Sequence, residues 1–368
     1  MKVLKKAGCF LLSMMLLVSF AKKEVKASSE ENTENFILEE NLNVQLPMSI
    51  SANHNTTLFI IGDSTSKSYH EKEMKTYPRE GWGQEIAYSF KGERQARRQY
   101  IYLKKDSNAV QYILPEMNIE SWGRSGATIK SSYESNRFSK MLSRVKAKDY
   151  VVIQFGHNDA RKAWGETPKE YEQYLVSMVQ QIKAKKATPI LVTSLPQYNK
   201  KRVQINAPRY RKKMLKVSKT HKVPCIDLNQ ECVNYFNLRG HKVTKNWYMF
   251  LKANKYSSYP KGLKDPTHFT KAGASVAARI IAVQMQNKSA LNMLTKNINF
   301  NSTELYKTLN TAEKYNKRKN YKKKSWKKLK RMRKQGWITL YSPNKSSRDC
   351  KQADIRLKRA MKSLKKKK

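Results

Sequence analysis

Three polar clusters flank apolar runs in this chain: Gly62-Asp63-Ser64-Thr65, Gly156-His157-Asn158-Asp159 and Asp265-Pro266-Thr267-His268. Together they supply a hydroxyl, an imidazole with a carboxylate three residues before it, and a side-chain amide. Those are the parts of acyl transfer. Ser64 would attack a carbonyl, His268 would take its proton, Asp265 would fix the imidazole tautomer, and Asn158 would donate to the oxyanion. Taken singly, Ser64 reads as a helix N-cap and Asn158 as an Asx turn at a strand exit. The Asp265–His268 spacing changes that weighing, because His54, His70, His221 and His241 have no such carboxylate partner in sequence. Two backbone donors complete an oxyanion hole on this reading, the N–H groups of Ser64 and Gly123. At Gly123 the missing Cβ would let an ester oxygen approach.

Strands must carry these clusters. Leu58-Phe59-Ile60-Ile61 leads into the first and Tyr150–Phe155 into the second, each a continuous apolar run of the kind buried on both faces of a parallel sheet. Such sheets hold their chemistry at the carboxyl ends of the strands. Further strands are expected at 112–114, 189–194 and 223–227. Helical spacing places Tyr171, Leu175, Met178 and Ile182 on one helix over 168–186. A second helix follows Pro208 toward His221, and a third begins near Thr270 with Ala274, Ala277, Ala278 and Ile281. This alternation predicts an α/β fold, a three-layer α/β/α sandwich around a central parallel sheet, over residues 57–286.

Lys2, Lys5 and Lys6 precede an apolar run from Ala7 to Ala21, and Val25-Lys26-Ala27 offers a cleavage site. The expectation is an export signal over residues 1–27 and a secreted protein, since the run falls short of the roughly 20 residues that span a bilayer. Residues 28–56 read as a polar linker carrying five glutamates in 28–40. The whole chain carries +47, and residues 1–27 hold six lysines and one glutamate, which leaves +42 for the remainder. So large a charge implies an anionic polymer or surface as partner, with retention at a cell wall or surface, and no nucleic-acid motif is present.

The charge is concentrated in Lys314–Lys334, where thirteen of twenty-one residues are Lys or Arg and none is acidic. Residues 287–368 therefore read as a strongly basic C-terminal extension, separate from the catalytic domain and able to hold an anionic wall or surface polymer through Lys314–Lys334. Trp326, Leu329 and Met332 give it a partial apolar stripe. Aromatics among lysines suit an anionic surface, and equally a module that packs them inside. Cys225 and Cys232 can bridge across a short loop or stay free as small buried hydrophobes. No C-x-x-C spacing points to a metal, no cofactor is expected, and a monomer is the default for an enzyme whose cleft must admit a polymer.

The ordered blocks resemble the GDSL/SGNH hydrolases, and specifically the rhamnogalacturonan acetylesterase branch of secreted carbohydrate esterases. The resemblance rests on Gly62-Asp63-Ser64-Thr65, on Gly81-Trp82-Gly83-Gln84, and on Asn118 with Gly123-Arg124-Ser125. Ile153–Asp159 and Asp265–Phe269 continue it. It implies a flavodoxin-like sandwich and a catalytic set of Ser64, Asp265 and His268. The implied oxyanion hole is Ser64, Gly123 and Asn158. The implied reaction is removal of acetyl groups from rhamnogalacturonan or a related acidic polysaccharide through an acyl-enzyme. Deacetylation of the cell's own wall polymer and a lipase or arylesterase activity are the alternatives. Two positions depart from the family pattern: Glu120 stands where an alanine is usual, and Gly126 where a serine is.

Overall fold

The computed structural model describes residues 55–69, 75–103, 108–163, 165–316 and 318–367. The expected export signal and all but the last two residues of the polar linker lie outside them. Twelve strands appear among the described residues. Seven build one sheet: β1 (Thr57–Gly62), β3 (Arg97–Ile101), β4 (Ala109–Ile113), β5 (Asn118–Ser121), β6 (Tyr150–Gln154), β7 (Thr188–Val192) and β10 (Cys225–Ile226). Their order is β10-β7-β6-β1-β5-β4-β3. From β10 to β5 all neighbours are parallel, whereas β4 and β3 run antiparallel at one edge.

The all-parallel expectation is thus corrected to a mostly parallel sheet. Only four residues separate β4 from β5, too few for the crossover a parallel pair requires. β3, which reads Arg-Arg-Gln-Tyr-Ile, shows no apolar run because it is largely exposed at the edge.

Side-chain alternation along the strands creates two cores. Leu58, Ile60, Val152 and Ile190 face one way, while Phe59, Ile61, Val151 and Leu191 face the other. The second face is covered by α2 (Ile129–Glu134), α3 (Arg137–Arg144), α4 (Pro168–Ala184) and α5 (Pro208–His221). α4 opens with a full capping box: Thr167 accepts from the Glu170 N–H, and Glu170 accepts from the Thr167 N–H. The first face packs on α1 (Trp82–Glu85), α6 (Leu228–Arg239) and α7 (Lys271–Gln286). The small residues Gly273, Ala274, Ala277 and Ala278 let α7 lie close to its neighbours. The strand and helix spans expected at 58–61, 150–155, 168–186, 208–221 and after 270 agree with these elements to within a few residues.

Two smaller sheets complete the frame. β8 (Gln197–Asn199) and β9 (Arg202–Gln204) form a hairpin. β2 (Arg79–Glu80), β11 (Tyr248–Leu251) and β12 (Leu263–Thr270) form a three-stranded sheet in which β12 lies centrally.

The expectation of a separate basic extension fails. Residues His54–Lys368 form one compact unit. α8 (Thr303–Glu313), α9 (Lys323–Tyr341) and α10 (Ser347–Lys362) bury Leu305, Leu309, Trp326, Leu329, Leu340, Tyr341 and Leu357 in the same core as α6 and α7. The apolar stripes are narrow and sit among lysines whose heads stay in water, so composition masks them. Arg279 of α7 fixes the junction. It is 3% exposed, its Nε donates to Leu340 O at 3.1 Å, and its guanidinium stacks 3.2 Å from the Phe300 ring centroid. Tyr341 adds a second link by donating to Glu231 Oε2 at 2.8 Å.

All three described cysteines are free, and Cys225 and Cys232 pack in cores on opposite faces of the sheet.

Candidate active site

Ser64 lies just beyond the carboxyl end of β1. The turn that holds it is built by its neighbours: Asp63 Oδ1 accepts from the Thr65 N–H at 2.8 Å and from Thr65 Oγ1 at 2.6 Å. Gln154, at the end of the adjacent β6, donates through Nε2 to Thr65 Oγ1 at 3.1 Å and accepts from Trp82 Nε1 at 3.0 Å. The Gly81–Gln84 block then clamps the following segment. Trp82 N–H donates to Thr65 O, and Gln84 Oε1 accepts from the Tyr69 N–H. A Cβ on Gly83 would sit 2.0 Å from Ser66 O, so only glycine permits this approach.

β12 delivers the other two groups. His268 Nε2 lies 2.8 Å from Ser64 Oγ, and His268 Nδ1 lies 2.7 Å from Asp265 Oδ2. Asp265 Oδ1 also accepts from the backbone N–H groups of Thr267 (2.8 Å) and His268 (3.1 Å). Burial pushes the Asp265 carboxyl up, but the hydrogen bond and charge of His268 with these two N–H groups outweigh it and hold the group well below the usual carboxylate range. Asp265 therefore stays ionised and fixes the imidazole with Nδ1 protonated and Nε2 free to accept from Ser64. Ser64 is only 5% exposed, whereas the His268 and Asp265 side chains keep 18% and 17% exposure.

Asn158 Nδ2 donates to Ala127 O at 2.9 Å, which orients the amide and leaves its second N–H to give. Its loop is pinned by Asp159, whose Oδ1 accepts from the Ile129 N–H at the start of α2 and whose Oδ2 accepts from the Gly156 N–H. Burial, then the hydrogen bond and charge of Glu166, push Asp159 well above the carboxylate range.

Trp122 N–H and Arg124 N–H donate to Ile60 O and Gly62 O, so the intervening Gly123 N–H is directed away from β1. Among the described residues, neither it nor the Ser64 N–H donates to any group. The structure gives a second reason for glycine at 123. A Cβ would lie 2.7 Å from Lys67 N and Cα, so the residue is small to pass the backbone after Ser64.

The departures at 120 and 126 have local causes. Glu120, 2% exposed, accepts from Gln111 Nε2 and Trp122 Nε1 and pairs with Arg144 at 2.6 Å. Gly126 has φ 73°, a left-handed turn that a glycine adopts freely.

Sequence reasoning missed three supporting groups. Arg79, on β2 beside β12, has Nη2 3.8 Å from Asp265 Oδ2. Ala127 contributes only a carbonyl, which no side chain advertises. His157, whose imidazole burial pushes down in pKa, bonds through Nδ1 to Asn206, far away in sequence.

A mostly parallel α/β/α sandwich with a Ser-His-Asp row beyond the carboxyl end of a central strand is the arrangement of a serine hydrolase. The profile of the GDSL-like lipase/acylhydrolase family matches residues 60–276, and the chain belongs to that family. It is a carboxylic ester hydrolase. The chain is 26% identical over 228 residues to rhamnogalacturonan acetylesterase RhgT of Bacillus subtilis, covering 61% of this chain and 87% of that protein. It is 27% identical over 238 residues to the probable rhamnogalacturonan acetylesterase YesY of the same organism, covering 63% and 91%. The crystal structure of Bacillus subtilis YxiM superposes with a TM-score of 0.50 at 22% identity, covering 63% of this chain and 56% of that one, and it bears on the fold alone.

Proposed function

We propose that the protein removes acetyl groups from a polysaccharide, rhamnogalacturonan or a related acidic polymer, through an acyl-enzyme on Ser64. The observation that carries the reading is the continuous row from Asp265 to His268 to Ser64, with links of 2.7 and 2.8 Å. His268 accepts the Ser64 proton as Oγ attacks the carbonyl. The oxyanion is met by the Ser64 and Gly123 N–H groups and the free N–H of Asn158. His268 then protonates the departing sugar hydroxyl, and a water deprotonated by His268 releases acetate from Ser64. The names of the two relatives support the acetyl and polysaccharide parts, and the charge of +42 left after residues 1–27 suits a substrate rich in carboxylates. Export through residues 1–27 belongs to the same reading, since such a substrate lies outside the cell.

The test is acetate release from acetylated rhamnogalacturonan, acetylated xylan and acetylated wall polymer, beside small esters of increasing acyl length. The reading expects the acetylated acidic polymer to be hydrolysed fastest and rates to fall as the acyl chain lengthens. Preference for long acyl chains would make the protein a lipase, and preference for wall polymer would make it a deacetylase of the envelope.

A further inference from the structure

The structure joins two lysine runs that lie far apart in sequence. Tyr321 and Lys366 form an antiparallel bridge, with Lys322 N–H donating to Lys365 O at 2.8 Å and Lys367 N–H donating to Asn320 O at 3.0 Å. Lys365 N–H donates in turn to Ser325 Oγ. This pairing sets Lys322–Lys324 beside Lys365–Lys367, and all six side chains are exposed. Lys327, Lys330 and Lys334, also exposed, continue the charge along one side of α9. Among the described residues none of these nine lysines is in an ion pair.

Such an arrangement works against the fold. Lysines at the start of α9 oppose its helix dipole, with no acidic residue in the first turn to offset them. Like charges across a bridge repel. A bound polyanion would remove both penalties, so binding and local order are linked. At the centre of the patch the half-buried Tyr321 ring lies 5.7 Å from Trp326, parallel to within 4°. The cations are nearly all lysines, which act as point charges and impose no fixed fork geometry on an anion.

We propose that this patch is a second, non-catalytic binding surface for the acidic polysaccharide itself, with lysines meeting its carboxylates above the packed Tyr321–Trp326 pair. The proposal rests on the polymer substrate inferred above. It sharpens the sequence expectation, because the surface joins the middle of the C-terminal segment to its last residues on a docked helical layer, not on a loose tail.

The experiment uses the full chain and de-esterified polygalacturonate, which binds without turnover. A variant with Lys323, Lys327, Lys365 and Lys366 all changed to Gln is compared with one changing the exposed Lys140, Lys185, Lys219 and Lys222 to Gln, after circular dichroism shows both folded. The wild type should bind with an affinity that falls steeply as salt rises through about 0.15 M. The patch variant should bind at least roughly tenfold more weakly, and the control within about twofold of wild type. Hydrogen exchange at 320–325 and 363–367 should slow when polymer is added. Equal loss in both variants, salt-indifferent binding, or retention of polyphosphate or DNA without polygalacturonate would overturn the surface. Because the probe carries no ester, failure to release acetate from any polymer would instead overturn the substrate reading and leave this result standing.

Discussion

The Asp265 carboxylate accepts three hydrogen bonds, one from the His268 ring and two from backbone N–H groups, which leaves the imidazole a single orientation toward Ser64. Asn158 is likewise held by one bond and aimed by it. A donor that acts mainly in the transition state should show in kcat, so Asn158→Ala is expected to lower kcat about a hundredfold or more, roughly 3 kcal/mol, with KM little changed. His268→Ala should be at least as damaging. Asp265→Ala should be milder, since the imidazole itself survives. Steady-state kinetics on a soluble acetyl ester checks the order, and equal small losses in all three would contradict it. The candidate row was legible because Asp-x-x-His and Gly-Asp-Ser are local patterns that can be read from short spacing. Their supports were not, because the Ala127 carbonyl that holds Asn158 and the Asn206 side chain that bonds His157 come from loops distant in sequence.

At the scale of elements, β12 presents the imidazole and β2 braces it, pairing through Glu80 opposite Phe269. Glu80 lies against Glu85 on α1. Burial first, then the Glu85 charge and hydrogen bond, push its carboxyl up to about 8. A carboxyl raised on folding keeps a proton that the unfolded chain has released, so the folded state binds more protons between the ordinary glutamate range and about 8. Stability should therefore fall as pH rises through that window, and Glu80→Gln should flatten the fall. Thermal unfolding of both proteins between pH 5 and 8.5 checks this, and parallel curves would refute it. The central strands were legible from unbroken apolar runs. The edge strand β3 was not, because an exposed strand of Arg-Arg-Gln carries no burial signal.

Across the whole molecule, the basic C-terminal segment supplies a layer of the core. Arg279→Ala would strip a buried carbonyl of its donor and remove the guanidinium stacked on Phe300. A destabilisation of about 2–4 kcal/mol is expected in chemical denaturation. Truncation near residue 300 should expose the outer face of α7 and yield an insoluble or unfolded protein. A soluble, fully active truncation would show that the helical layer is dispensable. This organisation was hidden by composition: the stripe formed by Leu305, Leu309 and Ala312 is plain once α8 is seen, yet it is followed directly by the basic stretch Lys314–Lys334.

The central claim is that Ser64 is the nucleophile of an ester hydrolase, and covalent labelling tests it most directly. An organophosphonate that reacts with activated serines should add one adduct to the intact mass, map to the peptide carrying Ser64, and abolish acetate release in step with labelling. Ser64→Ala should fold, as one turn hydroxyl supports little of the core, and should take up no label and release no acetate. Labelling at another residue, or a folded Ser64→Ala protein that still releases acetate at the wild-type rate, would contradict the account.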